Sequence, residues 1–231
     1  MITLAIDTSN QPMSIAIAND MDLLGEYTIN IKRNHSVQLM PAIDDLLKKV
    51  NLKPTDLEQI VVAEGPGSYT GLRIGMTVAK TLAWTLNIPI IPVSSLKVLA
   101  ANFIYSEGLI CPFFDARRGN VFTGLYEANN GILANIKEDC NVAMIDWLIE
   151  LKQFNRPIIF ASPNQHNFGE LIHEHLSDFA IISNQINNIP RASQLIYLSQ
   201  NEEKVDAHLV KPQYHRITEA EANLKKTNEK G

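Results

Sequence analysis

Ile60-Val61-Val62-Ala63-Glu64-Gly65-Pro66-Gly67-Ser68-Tyr69-Thr70-Gly71-Leu72-Arg73-Ile74-Gly75 is the stretch on which the fold turns. Its first four residues are a continuous apolar run, the mark of a strand buried on both faces. The run opens into a glycine-rich loop, and a helix follows over 72–86. Upstream, residues 2–6 form a short apolar run that ends at Asp7-Thr8-Ser9-Asn10, residues 13–18 alternate with period two, and 23–31 read as a third extended segment. Polar turns between them predict an antiparallel meander. Val37, Met40, Ile43, Leu46, Leu47 and Val50 make one helical stripe, capped by Asn34 or Ser36 and bent by Pro41. Thr55 and Glu58 have capping-box spacing.

Downstream, residues 88–93 are another buried strand, which Pro89 and Pro92 confine to an edge or a short pairing. Ser94-Ser95 caps a helix running to Tyr105. After Gly108 the order begins again, with strands over 109–115, 121–126 and 132–138, a helix over 141–151, a strand over 157–161 and a helix over 167–176. Turns fall at Arg117-Arg118-Gly119-Asn120 and Asn129-Asn130-Gly131, and a last helix spans 191–200. The pattern predicts an α/β protein of two β-β-β-α-β-α lobes with mixed sheets. The lobes are expected at 1–107 and 108–215, with a charged, frayed tail at 216–231.

Length and composition narrow the function. The 231 residues suffice for a sizeable core, and 45% apolar, 19% charged and 7% aromatic residues describe an ordinary globular chain. A net charge of −5 lacks the positive surplus of a protein that binds nucleic acid alone. Cys111 and Cys140 form no C-x-x-C, which excludes a cysteine-based zinc or iron–sulfur site. The amino terminus has no basic region before Asp7, and no apolar run reaches membrane-spanning length. A cytoplasmic product is the expectation.

The glycine loop fits neither phosphate fingerprint: no lysine follows Gly71, and that glycine comes one residue late for G-x-G-x-x-G. Gly65, Gly67, Ser68, Thr70 and Gly71 either hold an anion at a helix start or simply let the backbone turn tightly. Asp7 ends a strand as phosphate- and magnesium-organising aspartates do, but its turn has no glycine. A hydrogen-bonded turn aspartate is the other reading. His35 has Leu39, not a second histidine, at i+4, and His173 and His175 diverge on their helix. Ser68 is not in a G-x-S-x-G turn. The helix 72–86 is apolar nearly all round, with Arg73 and Lys80 its only charges, and Gly75, Ala79 and Ala83 allow close approach. One face can meet the sheet; the other must meet a neighbouring helix or a partner. Leu39 and Ala42, off the main stripe of the first helix, extend that candidate surface.

These residues together resemble the bacterial TsaB (YeaZ) family: Ile6-Asp7-Thr8-Ser9, His35-Ser36 with Leu39-Met40-Pro41, the long run from Gly65 to Gly75, Val93-Ser94-Ser95-Leu96, Asp115-Ala116-Arg117 and Pro212-Gln213-Tyr214-x-Arg216. The likeness is strong to about residue 127 and weak from there to Pro212. It implies an actin-like ATPase fold (ASKHA, RNase H-like) and a part in making threonylcarbamoyladenosine in tRNA, next to the anticodon. The family is similar to the TsaD proteins, which transfer the threonylcarbamoyl group and hold a metal through a helical H-x-x-x-H. Here Leu39 replaces the second ligand, so the resemblance implies a non-catalytic scaffold that pairs with TsaD, or with a second copy when alone. TsaE joins, and tRNA is met only through the complex. On the matching helices the implied partner-binding set is His35, Leu39, Ile43, Leu46, Leu47, Arg73, Met76, Thr77, Lys80, Thr81 and Trp84. Asp7, Thr8 and Ser9 would be a degenerate nucleotide site. No cofactor of its own is expected, with room left for a nucleotide at the interface of the complex. An independent ATPase or small-molecule kinase of the same fold is the alternative. A peptidase, the reading left by an old name of the relatives, lacks a visible nucleophile or metal pair.

Overall fold

The computed structural model describes residues 1–31 and 34–214. The tail reading over 216–231, like Arg216 of the last motif, lies outside the described residues. The first sheet is built from β1 (Ile2–Asp7), β2 (Met13–Asn19), β3 (Asp22–Ile29), β4 (Gln59–Gly65) and β5 (Ile90–Ser94), in the order β3-β2-β1-β4-β5. The second is built from β6 (Gly108–Arg117), β7 (Asn120–Asn129), β8 (Ile132–Ala143), β9 (Ile158–Ala161) and β10 (Ala180–Ile182), in the order β10-β9-β6-β7-β8. Read in opposite directions these are one topology. In each, a three-strand antiparallel meander continues into two parallel strands. The register sets Ile6 beside Ile15 and Val62, and Ile110 beside Tyr126 and Ile159.

Among the described residues the α-helices are α1 (His35–Lys49), α2 (Tyr69–Leu86), α3 (Ser95–Ala101), α4 (Met144–Leu151), α5 (Gly169–Leu176) and α6 (Ala192–Leu198). Helices α1 and α2 cover the outer face of the first sheet, and α4 and α5 that of the second. The other two lie between the sheets. Helix α6 follows the second sheet in sequence yet packs on β1 and β2 of the first, and α3 packs on β6 and β7 of the second. A helix covers each sheet face, so the strands beneath are buried on both sides, as the run Ile60 to Ala63 required.

Several boundaries differ from the sequence reading. Asn141 to Ala143 extend β8 rather than start a helix, because they pair with Asn120, Val121 and Phe122 of β7. Helix α3 stops at Ala101, short of Tyr105, and the chain continues through turns. Strand β10 carries too short a signal to read from sequence: three residues, two of them exposed. The capping box falls at Lys53 and Asp56, while Glu58 instead accepts from the amide of Ile2 at 2.6 Å. Asn34, not Ser36, caps α1. The α1 stripe is rotated: Leu39, Ile43, Leu46 and Leu47 face inward, and Val37 (66% exposed) and Met40 (46%) face out. Strand β5, carrying Pro92, is an edge strand, the first of the two placements its prolines allowed. Its free edge is bridged by Val205, which exchanges backbone hydrogen bonds with Ile90.

Candidate functional site

The glycine loop closes over the turn that follows β1. The amide of Ser68 donates to the Ser9 carbonyl (2.6 Å), and Thr8 Oγ1 donates to the Gly71 carbonyl (2.8 Å). A methyl group at Gly67 would stand 2.2 Å from the Ser9 carbonyl oxygen. At Gly71 it would stand 2.1 Å from that of Thr8, and at Gly75 2.4 Å from Thr8 Oγ1. All three are far inside van der Waals contact, so these glycines exist to let α2 and its loop seat against the turn. Ser68 caps α2, its Oγ accepting from the Gly71 amide.

Asp7 is 2% exposed, and Thr8 and Ser9 are equally buried. One carboxylate oxygen of Asp7 accepts from the Ser9 amide at 2.8 Å; the other has no hydrogen-bond partner among the described residues. Burial pushes the Asp7 carboxyl above the ordinary aspartate range, against the pull of the Ser9 hydrogen bonds and of His35. Asp7, Thr8 and Ser9, read as a degenerate nucleotide site, lie buried beneath the glycine loop, which packs directly on their turn. His35 Nε2 lies 3.0 Å from the Asn10 carbonyl. A carbonyl only accepts, so Nε2 carries the proton, and the buried Nδ1 has no partner among the described residues. His35 thus ties the start of α1 to the β1–β2 turn. Among the described residues no group of three His, Cys, Asp or Glu side chains is placed to hold a metal ion.

The open space is between the lobes. A cleft of about 660 Å³ is lined by Asn10, Ser68 and Tyr69 from the first lobe, and by Asp115, Arg117 and Arg118 from the second. Asp7, Thr8 and Ser9 do not reach it. The chain also returns here: the Gln213 amide donates to the Glu64 carbonyl at 2.8 Å, and the ring of Tyr214 packs on Tyr69, tilted by 36° with 4.8 Å between centroids. The sequence reading named several of these residues, as loop, turn or family-motif positions, but did not bring them together as one cleft. A signal was present in Arg118-Gly119, where a tight hairpin turn favours asparagine at the first position.

The candidate partner surface needs a larger correction. Leu39, Ile43, Leu46, Leu47 and Met76 belong to the core beneath α1 and α2, since each turns toward the sheet. They cannot meet a partner without unfolding. Lys80 is committed too: its Nζ donates to the Val210 carbonyl at 2.8 Å and holds the C-terminal segment on α2. What α2 presents outward is Arg73, Thr77, Thr81 and Trp84 (68% exposed), beside Val37 and Met40 of α1. Tyr69, Arg73, Thr77 and Ser36 border a shallow groove between the two helix starts. No described helix is long and apolar enough to cross a membrane.

Two lobes of one topology, with exchanged helices between them and a cleft opening beside the β1–β2 turn, define an α/β protein of the actin-like ATPase class. The family model for TsaD, tRNA N6-adenosine threonylcarbamoyltransferase, matches residues 22–229. The tRNA threonylcarbamoyladenosine biosynthesis protein TsaB of Bacillus subtilis is 47% identical over 222 residues, 96% of this chain and 97% of its own. Its namesake from Escherichia coli is 33% identical over 135 residues, 57% of this chain and 58% of its own. YeaZ from Pseudomonas aeruginosa has the same fold, with a TM-score of 0.77 over 92% of this chain and 99% of its own at 23% identity. The chain belongs to the TsaB (YeaZ) family, related to the TsaD transferases.

Proposed function

We propose that this chain acts in forming threonylcarbamoyladenosine in tRNA as a non-catalytic subunit. In this reading it binds and stabilises TsaD through the outward faces of α1 and α2, and the pair assembles with TsaE in the cytoplasm. Two copies pair through the same helices when TsaD is absent. It needs no cofactor of its own. The observation that carries the reading is the closed turn: Thr8 and Ser9 fill the space that Gly67, Gly71 and Gly75 leave open, and Asp7 is sealed beneath. An ATPase or kinase of this fold needs that turn free for phosphate.

The test is an omission assay. TsaD, TsaE and the adenylate-forming enzyme receive tRNA, ATP, threonine and bicarbonate with and without this chain, and modified tRNA is counted. Product is expected only with the chain present. His35→Ala is expected to support it still, whereas Thr77→Arg, at an exposed position on α2, is expected to abolish it with the fold intact by circular dichroism. Equal product without the chain, or ATP turnover by the isolated protein, would reject the scaffold in favour of an independent enzyme.

A further inference from the structure

Helix α2 carries one outward cation whose charge the fold leaves unmatched. Arg73 is exposed, yet its side chain is held in place. It lies 5.2 Å over the Tyr69 ring and donates to the Tyr69 hydroxyl at 3.0 Å. Tyr69 is itself backed by Tyr214, with 4.8 Å between ring centroids. The contact with the hydroxyl leaves the other N–H groups of the guanidinium fork available. No carboxylate among the described residues forms an ion pair with Arg73. Lys80, the other cation of the helix, is bound to the Val210 carbonyl.

Around it the surface is uncharged. Arg73 borders the groove between the two helix starts with Ser36, Tyr69 and Thr77, and Val37 and Met40 of α1 stand exposed beside it. An aromatic-backed guanidinium loses little freedom on docking and matches a carboxylate with two parallel hydrogen bonds. Covered by a surface that offers no acid, the same group becomes a buried, uncompensated charge, which is strongly unfavourable. A second copy of this chain has little to offer. Helix α2 has no acidic residue, and the two on α1, Asp44 and Asp45, are bound to Lys48 at 2.6 Å and Lys49 at 2.7 Å. Two copies meeting through these helices must break one of those pairs or bury Arg73 unmatched. A different protein can bring a carboxylate of its own.

We propose that Arg73 determines which partner the α1–α2 face accepts: it receives an aspartate or glutamate side chain of a different protein in the groove beside Ser36 and Thr77, and it disfavours pairing of the chain with itself. This rests on the reading that the outward faces of α1 and α2 dock TsaD, and adds to it the chemistry of the contact. The exposed apolar groups of the two helices serve either partner alike. Specificity is a difference between two affinities, and here one charge sets it.

The experiment measures two affinities of the full chain: for TsaD by isothermal titration calorimetry, and for itself by sedimentation equilibrium. Arg73→Met keeps an apolar stem over Tyr69 and removes the charge. It should melt with the wild type and bind TsaD at least about thirtyfold more weakly, the lower end for truncating one member of a buried charge pair. Its self-association should be unchanged or tighter. Arg73→Lys, which keeps the charge but loses the planar fork, should bind TsaD with intermediate affinity. A smaller loss of TsaD binding in Arg73→Met, or self-association that falls in step with it, would overturn the proposal, the latter because an acid of the second copy then takes Arg73. Thr77→Arg separates this from the docking face itself. If TsaD is lost with Thr77→Arg but kept with Arg73→Met, only the assignment of Arg73 fails. If TsaD is kept with both, the docking face fails as well.

Discussion

At Gly71 one hydrogen atom decides whether two loops can meet. Its α-carbon faces the Thr8 carbonyl so closely that an added methyl group would sit 2.1 Å from that oxygen. Backbone stands on both sides, so neither can yield as a flexible side chain would. Gly71→Ala is expected to cost about 3 kcal/mol, the upper range for overpacking a fitted interior, read as a lower urea midpoint at unchanged slope. Asp7, under the same loop, gives a pH signature. Its folded value is raised by burial, so the native state binds the proton more tightly than the unfolded chain. Stability therefore falls as pH rises from the unfolded aspartate value, 3.8, through the folded one. Asparagine keeps the acceptor for the Ser9 amide and never ionises. Asp7→Asn is expected to melt higher than wild type at pH 7, with the difference closing below pH 3.8. A gap that persists in acid would mean that the carboxylate's charge is not the cost.

Helices α1 and α2 carry the partner surface, and which of their residues reach it depends on helical phase. Met76 and Thr77 are neighbours in sequence and opposites in space: Met76 is 2% exposed against the sheet, and Thr77 looks outward. Met76→Ala should cost about 2–5 kcal/mol in unfolding free energy, whereas Thr77→Arg should leave unfolding within about 0.5 kcal/mol and act only on assembly. Chemical denaturation beside size-exclusion chromatography with TsaD separates the two. The element order was legible in the sequence because periodicity reports burial: the run at Ile60, the edge prolines at Pro89 and Pro92, and the turn glycines all landed. The phase of α1 was not. Val37 and Met40 fall on the apolar stripe and Leu39 off it, yet the position of β2 and β3 turns Leu39 inward and leaves the other two outside. The glycine loop was legible as a loop, but its purpose was not: whether it receives a phosphate or the chain's own turn depends on contacts sixty residues apart, such as Thr8 with Gly71. The cleft arginines carried a local signal, a costly residue in a turn, that hydrophobic patterning does not register.

Across the whole molecule, the exchange of α3 and α6 makes each lobe depend on the other. Ala5, Ala16 and Val61 on the inner face of the first sheet are covered by Leu195, Ile196 and Leu198, which arrive from the far end of the chain. Val210 joins the outer core, and Val205 caps the β5 edge. A chain cut at the expected boundary, residues 1–107, would keep its strands and its outer helices but expose an apolar sheet face and an open strand edge. That fragment is therefore expected not to fold: its amide resonances should stay collapsed, and it should aggregate at concentrations where the full chain is monodisperse. Correspondingly, the full chain should unfold in one urea transition, coincident by tryptophan fluorescence and far-ultraviolet circular dichroism. Trp84 sits in the first lobe and Trp147 in the core of the second, so fluorescence of Trp84→Phe and Trp147→Phe reports each lobe alone. Coincident midpoints in the two variants follow if α3 and α6 bind the sheets into one unit. Separated midpoints would show that the exchanged helices pack without coupling, and that the first lobe can hold its partner surface by itself.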